Sequence, residues 1–439
     1  MKQLKVTDPQ IYELIKNEEK RQKDVLEMIP SENYTSSAVL QALGTVLNNK
    51  YSEGYAKKRY YQGNEFIDSV ELIAQERAKE LFGVPHANVQ PYSGSPANLA
   101  IYLALLNPGD KVMGFSLAFG GHLTHGASVS ITGKYFKAVQ YELGKDGYLD
   151  YDAIEALAVK EKPKLIICGT TAYSRILDFK KFGKIADKVG AYLHADISHI
   201  AGLVATGVHP SPVPHVHSIM TTTHKTLRGP RGAILMVTEK GLKKDPEYAD
   251  KLDKAVFPGL QGGPHDNQTA AIAVALKEAS TAKFKKYSEQ IVKNAKKLAE
   301  KLTAFDFTII SGGTDTHLLL IDLSNKSVNG AQAALALEVA GIVVNKNSVP
   351  NDPRPPFYPS GIRLGTPAIT TRGMKEREMI KVAHWINAVI DEVSNNPMPI
   401  DKVERIAFWK IYKRDIWENK KLLAIGREVK AFCSKYPLP

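Results

Sequence analysis

The strongest constraint on the fold is an alternation of helical and strand patterns between residues 51 and 276. Apolar residues recur at helical spacing in three segments, 69–82, 96–106 and 179–188. Between and after them lie short apolar runs rich in β-branched residues, at 111–117, 164–168, 191–193, 218–222 and 233–237. The alternation predicts an α/β fold with a mostly parallel sheet between helices. Ligands of such sheets gather beyond the carboxyl ends of the strands.

The rest of the chain predicts further divisions. Residues 1–50 are interpreted as an N-terminal arm, with apolar residues at helical spacing until Pro30 ends the pattern. Residues 51–276 form the predicted large domain. Residues 277–439 are predicted to form a connecting helix and a smaller C-terminal α/β domain. The patterns behind this last division are a helical region at 272–302, strand-like runs at 308–310, 317–323 and 342–345, and a helical end at 403–436.

Composition excludes several classes of protein. The 439 residues are 44% hydrophobic and 24% charged, as in ordinary globular proteins. The longest apolar run, 99–106, is far shorter than the roughly 20 residues of a membrane-spanning helix. No signal peptide is expected, because the first 25 residues are densely charged. Two cysteines are too few for a disulfide framework, so a cytoplasmic location is predicted.

The net charge of +12 invites a nucleic-acid-binding hypothesis. Segment 276–301 has eight lysines against three acidic residues, and segment 395–439 has ten basic residues against five. The nearest candidate for an aromatic and basic contact surface is 408–414, FWKIYKR, which also fits an amphipathic helix with a solvated rim. Most of the charge therefore lies outside the segments that carry chemistry, and nucleic acid is an unlikely partner.

Lys225 ends the segment 218–225, SIMTTTHK, just after a predicted buried strand. A lysine there can form a Schiff base, although most strand-end lysines are solvated surface residues. The preceding strand ends in Asp196, which could keep a pyridine nitrogen protonated or could simply cap a helix. Together the two residues match the protein's usual contribution to pyridoxal phosphate chemistry.

A phosphate site is predicted at residues 93–96, SGSP, directly before an apolar helical run. Ser95 would be the N-cap and Pro96 the first helical residue, so that free N–H groups face the loop. Gly94 would let an anion approach the backbone. A plain capped helix remains the alternative interpretation.

Motifs along nearly the whole chain resemble the serine hydroxymethyltransferase family. In chain order they are MIPSENYTS, KYSEGY, SGSPAN, GGHLTHG, DISHIAGLVATG, TTTHKTLRGPRG, FPGLQGGP and SGIRLGTPA. The resemblance implies a fold-type I, pyridoxal-phosphate-dependent transferase. It would move the hydroxymethyl carbon of serine reversibly to tetrahydrofolate, leaving glycine, as part of one-carbon and amino-acid metabolism. It implies no metal ion.

The resemblance also implies the cofactor contacts. Lys225 would carry the cofactor covalently, Asp196 would meet the pyridinium nitrogen, and His122 would stack on the ring. Further contacts are implied for Gly94, Ser95, Thr171, His199 and His224. Tyr51, Gly262 and Gly263 would reach the phosphate from the neighbouring subunit, so the active sites of a homodimer would be shared.

Substrate contacts follow from the same resemblance. Arg363 and Ser31 would bind the carboxylate of serine or glycine, since an arginine fork suits a carboxylate. Glu53 would shuttle protons, and Tyr60 and Tyr61 would line the site, with Tyr61 among the catalytic groups. Contacts with tetrahydrofolate are expected at Leu117, Gly121, Leu123 and Asn347.

Three residues depart from the family's usual pattern. Phe119 replaces a polar residue near the expected pterin region, Thr171 replaces a serine, and Ser198 replaces an alanine. None removes a catalytic group, although Phe119 leaves the folate affinity open. Ser198 is expected to be harmless.

The alternative enzyme is a folate-independent aldolase for threonine or other β-hydroxy amino acids on the same fold. It would share Lys225, Asp196 and Arg363. It would not need Glu53 or the proline-rich loop at 345–353, NKNSVPNDP, and the presence of both favours the transferase.

Overall fold

The computed structural model describes residues 2–439, which divide into two compact units. Unit 1 contains the described residues up to 32 together with 293–313 and 318–439. Unit 2 contains residues 33–292 and 314–317. The functional division into an arm (1–50), a large domain (51–276) and a small domain (277–439) stays a prediction.

The strands of the described residues are short, and each has two to five residues. In chain order they are β1 (Leu26–Glu27), β2 (Gly54–Tyr55), β3 (Lys58–Arg59), β4 (His86–Asn88), β5 (Lys111–Phe115), β6 (Lys137–Tyr141), β7 (Leu165–Gly169), β8 (Tyr192–Asp196), β9 (Ser218–Thr222), β10 (Ala233–Val237), β11 (Thr308–Ile309), β12 (Leu318–Asp322), β13 (Ile342–Val343), β14 (Asn345–Asn347) and β15 (Gly361–Gly365).

The helices vary from single turns to long rods. They are α1 (Lys2–Thr7), α2 (Pro9–Asp24), α3 (Ser37–Leu43), α4 (Glu65–Phe82), α5 (Gly94–Leu105), α6 (Ile131–Tyr135), α7 (Tyr151–Glu161), α8 (Phe179–Val189), α9 (Ala201–Ala205), α10 (Glu239–Lys244), α11 (Tyr248–Lys254), α12 (Asp266–Ala279), α13 (Ala282–Ala304), α14 (Gly330–Val339), α15 (Pro367–Thr371), α16 (Glu376–Ser394), α17 (Lys402–Asp415) and α18 (Lys420–Cys433).

Unit 2 is built on a seven-stranded sheet in the order β4-β10-β9-β8-β7-β5-β6. Strands β5 to β9 pair in parallel, and β10 is antiparallel to both of its neighbours. Every residue of β7, β9 and β10 is buried, which explains their continuous apolar runs. The predicted α/β class with a mostly parallel sheet is confirmed.

Two large apolar cores lie in unit 2. One joins Phe115, Ile166, Phe182 and Leu193, among others, and the second joins Ile101, Leu165, Leu235 and Tyr248. Residues of one strand alternate between the two cores, as the two-residue period of a strand requires. The sheet is therefore covered on both faces, and only its edges are left for ligands.

Unit 1 has an antiparallel sheet in the order β11-β12-β15-β14 and a parallel pair of β1 with β13. Its core joins Leu26 and Leu319 with Leu337, Ile386 and Val429, among others. The helical pattern predicted to run to Pro30 was wrong at its end. Helix α2 stops at Asp24, because Leu26 and Glu27 pair with Ile342 and Val343 instead.

Two long predicted helices are each divided in the structure. The region 272–302 holds α12 and α13, which separate at Ser280, and the end 403–436 holds α17 and α18. Asn419 separates the last two because its side chain caps α18 by accepting from the N–H groups of Lys421 and Leu422. Within residues 2–439, none of the helices combines the length and apolar character that crossing a bilayer requires.

Candidate active site

A small cavity of about 20 Å³ lies at the carboxyl ends of the strands of the unit 2 sheet. The register sets Gly169 of β7 beside Asp196 of β8, so these two strands end level with each other. Asp196 lies beside Met220 of β9, which continues for two more residues to Thr222. The cavity is lined by Gly94, His122, His125, Thr170, Thr171, Asp196, Ser198, His199, Met220, Thr222 and Lys225. Six of the predicted site residues therefore meet here.

Lys225 lies three residues beyond the end of β9 and is half-buried. Its Nζ donates to Thr222 Oγ1 at 2.8 Å. Its backbone carbonyl accepts from Asn33 Nδ2 at 2.9 Å, and the same Asn33 nitrogen donates to the hydroxyl of Tyr287 at 2.8 Å. The lysine is thus held at the cavity wall, and the alternative of a solvated surface lysine does not apply.

Asp196 is the most strongly bonded group of the cavity and is only 8% exposed. Its Oδ2 accepts from Asn98 Nδ2 and pairs with His125 Nε2, each at 3.0 Å. Its Oδ1 accepts from the hydroxyl of Ser198 at 2.6 Å. Burial opposes ionisation, but the bonds from His125 and Ser198 outweigh it and hold the pKa of Asp196 well below its usual range.

Asp196 does not cap a helix. The next helix, α9, begins at Ala201, and its N-cap is Ile200. The carboxylate of Asp196 instead binds side chains around the cavity, so Asp196 is a fixed negative charge at the end of β8.

His122 is a neutral imidazole in the loop after β5. Burial, together with nearby His125 and Lys225, lowers its pKa to about 4. Its Nδ1 accepts the backbone N–H of Thr124 at 3.2 Å, which leaves the ring proton on Nε2. A neutral ring held in this way can stack flat on an aromatic ligand.

His199 follows Asp196 by three residues in the chain and is 5% exposed. Its Nδ1 is 3.3 Å from His317 Nε2, and the two rings stack with centroids 5.6 Å apart. Its carbonyl accepts from the hydroxyl of Thr226 at 3.0 Å, which ties this loop to the lysine-bearing turn.

The predicted N-cap at Ser95 was wrong. Helix α5 begins at Gly94 with Ser93 as its N-cap, so Ser95 and Pro96 lie within the first turn. The first-turn N–H groups have no partner inside a helix, so proline costs no hydrogen bond there. A Cβ on Gly94 would lie 2.7 Å from Thr222 Cγ2, so only glycine fits this approach between α5 and β9.

His224 has a buried Nδ1 for which the described residues provide no hydrogen-bond partner. Burial, with Lys225 and Arg231 nearby, lowers its pKa to about 3. A buried polar atom without a partner is costly, and a ligand atom would remove that cost.

The loop after β5 is hydrogen-bonded to the segment that follows β7. Thr171 Oγ1 donates to the carbonyls of Gly120 and Gly121, each at 3.1 Å. The hydroxyl of Thr171 thus keeps the loop in place. Leu117 and Leu123 on this loop remain 44% and 45% exposed.

Phe119, one of the three departures from the family pattern, is 7% exposed and packs in the large apolar core of unit 2. Phe119 therefore contributes buried apolar area beneath this loop.

A second group of predicted residues, the Tyr51 cluster, comprises Tyr51, Glu53, Tyr61, Gly262 and Gly263. Tyr51 donates to Glu53 Oε1 at 3.3 Å, and its ring meets Tyr61 edge-on at 5.1 Å. A Cβ on Gly262 would lie 3.2 Å from Glu53 Oε1, and one on Gly263 would lie 3.6 Å from the Tyr51 ring. None of these five lines the cavity around Lys225.

Tyr60 directly precedes Tyr61 in the chain, and its ring packs edge-on against Phe257 with ring centroids 5.7 Å apart. Tyr51, Tyr60 and Tyr61 are 55%, 71% and 46% exposed, so this surface carries three open aromatic rings.

The remaining predicted residues, Ser31, Asn347 and Arg363, belong to unit 1. Arg363 lies on β15, where its Nε donates to Asn345 Oδ1 at 3.0 Å. Burial lowers its pKa to about 10, so the guanidinium stays charged at neutral pH. Asn347 ends β14, and Ser31 lies in the turn after β1.

Three residues whose side chains bind Asp196 were not predicted as site residues. His125 and Asn98 both bind Asp196 and lie within the motifs GGHLTHG and SGSPAN, so the motifs themselves were the available signal. Ser198, expected to be harmless, donates to Asp196 Oδ1 and accepts the N–H of Thr222 at 3.1 Å. It therefore links the aspartate to the strand that leads to Lys225.

These features fit pyridoxal phosphate. The anionic Asp196 suits a protonated pyridine nitrogen, and the neutral His122 suits a stacked ring. The close approach at Gly94 and the unpartnered nitrogen of His224 suit a phosphate near the start of α5.

Comparisons with known proteins agree on one family. The family model described as serine hydroxymethyltransferase matches residues 4–386. A serine hydroxymethyltransferase of Desulfotalea psychrophila is 55% identical over 440 residues, covering 100% of this chain and 96% of the relative. One from Acidothermus cellulolyticus is 61% identical over 392 residues, covering 89% of this chain and 90% of the relative. One from Sorangium cellulosum is 56% identical over 408 residues, covering 93% and 94%. The chain therefore belongs to the serine hydroxymethyltransferase family.

Proposed function

We propose that this chain transfers the hydroxymethyl carbon of serine to tetrahydrofolate, giving glycine and methylenetetrahydrofolate. The observation that carries the proposal is the pairing of a buried, ionised Asp196 with Lys225 at one sheet edge in a chain of this family. The names of the relatives favour the transferase over the folate-independent aldolase.

Pyridoxal phosphate, when bound, supplies an electron sink for negative charge at Cα of the amino acid. Lys225 is the amine that holds it covalently. Asp196 keeps the ring nitrogen protonated, because its pKa lies well below the usual range and it remains an anion. His122 would hold the ring by stacking on it, and His199 and Thr171, which line the same cavity, would also contact the cofactor.

The phosphate is bound by the start of α5 and by the lysine turn. Gly94 and Ser95 present first-turn N–H groups, and His224 offers its buried nitrogen.

We assign the large cofactor-binding domain to residues 51–276, between the arm at 1–50 and the small domain at 277–439.

Substrate recognition follows from charge and shape. Arg363 binds the carboxylate of serine or glycine through its planar fork, with Ser31 beside it. Leu117, Gly121, Leu123 and Asn347 contact tetrahydrofolate, and two exposed leucines suit the apolar faces of a pterin.

Glu53 moves the proton at the serine hydroxyl as the bond between Cα and Cβ breaks. Tyr51 already donates to this carboxyl group, and Tyr61 packs on Tyr51, so the two tyrosines restrict the position of Glu53. Tyr60 completes the aromatic lining.

We further propose a homodimer with shared active sites. Three exposed tyrosines on one surface are apolar area that a second copy would cover. In this arrangement Tyr51, Gly262 and Gly263 reach the phosphate bound by the partner subunit. The cytoplasm is the proposed location.

The test of the function is serine cleavage by the purified protein with and without tetrahydrofolate. We expect tetrahydrofolate to accelerate cleavage strongly, and we expect cofactor absorbance in the visible region that borohydride bleaches. The variant Lys225→Ala should lose that absorbance and the activity. Equal rates with and without tetrahydrofolate would indicate the aldolase instead.

A further inference from the structure

A line of buried polar side chains runs from Asp196 into the interior of unit 2. It joins Asn98, His194, Ser218 and Tyr248, each at most 1% exposed. Asn98 Nδ2 donates to Asp196 at 3.0 Å, and Asn98 Oδ1 lies 3.1 Å from His194 Nε2. His194 Nδ1 lies 2.9 Å from Ser218 Oγ, to which the Tyr248 hydroxyl donates at 2.8 Å. We call these four residues the Asp196 relay.

The orientation of the Asn98 amide follows from Asp196. An ionised carboxylate only accepts hydrogen bonds, so the atom of Asn98 that faces it must be the NH₂ group. The same NH₂ group donates to Thr124 Oγ1 at 2.8 Å. The carbonyl oxygen of Asn98 therefore faces His194 and requires a donor there.

The protonation of His194 follows in turn. Its Nε2 must carry the proton, because it faces a carbonyl oxygen. Burial lowers the pKa of His194 to about 4, so the ring is neutral and Nδ1 is an acceptor for the Ser218 hydroxyl. Ser218 then accepts from Tyr248, and every member donates toward Asp196.

We propose that His194 is a positioning residue that sets how strongly the site holds the pyridine ring of its cofactor. Its Nε2–H fixes the Asn98 amide with the NH₂ group toward Asp196. The inference rests on the proposed function, because it deepens the role of Asp196 as the partner of a ring nitrogen.

Hydrogen bonds running in the opposite direction along the Asp196 relay would destabilise the folded protein. If His194 carried its proton on Nδ1, Asn98 would have to turn its NH₂ group toward Nε2. Its carbonyl oxygen would then face the Asp196 carboxylate, and two acceptors would meet in a buried place without a proton between them. The relay thus has one favourable direction.

Two variants distinguish the effect of the hydrogen-bond donor of His194 from the effect of its side-chain volume. His194→Gln can place an NH₂ group where Nε2 lies, whereas His194→Asn reaches only the position of Nδ1. His217→Asn is the matched control: His217 is 2% exposed, and its Nδ1 accepts the N–H of Leu193 at 2.8 Å, apart from the relay.

The first measurement is the dissociation constant of pyridoxal phosphate for the purified holoenzymes after resolution and titration. We expect His194→Asn to bind about tenfold more weakly, the size of one hydrogen bond to a charged group. His194→Gln and His217→Asn should stay near the wild type. Equal affinity of His194→Asn and the wild type would overturn the inference.

The second measurement needs neither activity nor cofactor affinity. Nitrogen NMR of the protein labelled at its histidine rings reports which nitrogen of His194 carries the proton, with the signal assigned by its absence from His194→Gln. We expect the proton on Nε2 throughout neutral pH, and a proton on Nδ1 would refute the relay. Failure of Lys225→Ala to abolish cofactor absorbance would instead contradict the proposed function and leave this result standing.

Discussion

At the scale of single residues, burial decides the charge of the site. It lowers the pKa of His122 and His194 to about 4 and that of His224 to about 3, so three imidazoles near the cavity are neutral. Asp196 is buried as well, yet hydrogen bonds keep it ionised. Asp196 is therefore a fixed negative charge close to neutral imidazoles, which suits a protonated pyridine nitrogen.

Ser198 illustrates what the sequence alone could not reveal. A serine in place of alanine was expected to be harmless, because the sequence does not show where its hydroxyl points. In the folded chain its hydroxyl lies 2.6 Å from Asp196 Oδ1. The partner became visible only once the turn after β8 was folded.

The variant Glu53→Gln tests the proposed proton shuttle. We expect it to bind pyridoxal phosphate and glycine like the wild type, because its shape is unchanged and Tyr51 can still donate to the amide oxygen. Cleavage of serine with tetrahydrofolate should fall by about a hundredfold or more, as is typical when a general acid–base group is lost. Steady-state kinetics and cofactor titration measure both effects. Unchanged turnover would remove Glu53 from this role.

At the scale of elements, the parallel strands bring distant residues to one edge. Asp196 ends β8 and Thr222 ends β9, and their register is set by main-chain hydrogen bonds. The apolar runs predicted these strands, and the prediction that the strand before Lys225 ends in Asp196 is confirmed by β8. The partners of His194 and Asp196 could not be predicted from these runs, because they come from distant parts of the chain.

The start of α5 shows a similar limit. Sequence preferences favoured Ser95 as the cap, because serine before proline is a common helix start. The helix begins one residue before Ser95, since Gly94 packs closely against Thr222 and continues the turn. Tertiary packing outweighed the local preference.

The variant Gly169→Ala tests the packing of β7 against β8. A Cβ there would lie 2.3 Å from the carbonyl oxygen of Asp196 and 2.8 Å from its Cβ, so the two strands must move apart. We expect a loss of about 1–3 kcal/mol in the free energy of unfolding, as for other overpacked cores. We also expect weaker binding of pyridoxal phosphate, because Asp196 is displaced.

Gly44→Ala is the control for this change. A Cβ there meets only Leu40 O at 3.8 Å, and the residue ends helix α3. Denaturant unfolding followed by circular dichroism compares the two variants. The same midpoint for both would show that β7 and β8 tolerate the extra methyl group.

At the scale of the whole molecule, the predicted residues fall into separate groups. Six line the cavity around Lys225, five form the Tyr51 cluster, and Ser31, Asn347 and Arg363 belong to unit 1. The aromatic rings of the Tyr51 cluster are exposed, and none of the cluster's residues lines the cavity around Lys225. That separation is the physical reason for the proposed shared site in a homodimer.

Mixed dimers test this proposal. Subunits with Lys225→Ala and subunits with Tyr51→Ala should each be inactive alone. If sites are shared, a mixed dimer holds one intact site, and random pairing restores about a quarter of the wild-type activity. The measurement is serine cleavage after the two chains are coexpressed or exchanged. Activity no greater than that of the separate variants would mean that each chain builds its own site.

The sequence by itself determined the family, the α/β class, and the pairing of Lys225 with Asp196, because motifs and strand patterns are local properties of the chain. Only the tertiary structure decided which side chains form the Asp196 relay. Asn98, His194, Ser218 and Tyr248 have no regular spacing, and they meet because the register of β8 with β9 and the packing of α5 and α11 bring them together. The direction of their hydrogen bonds depends on burial, which no local pattern specifies.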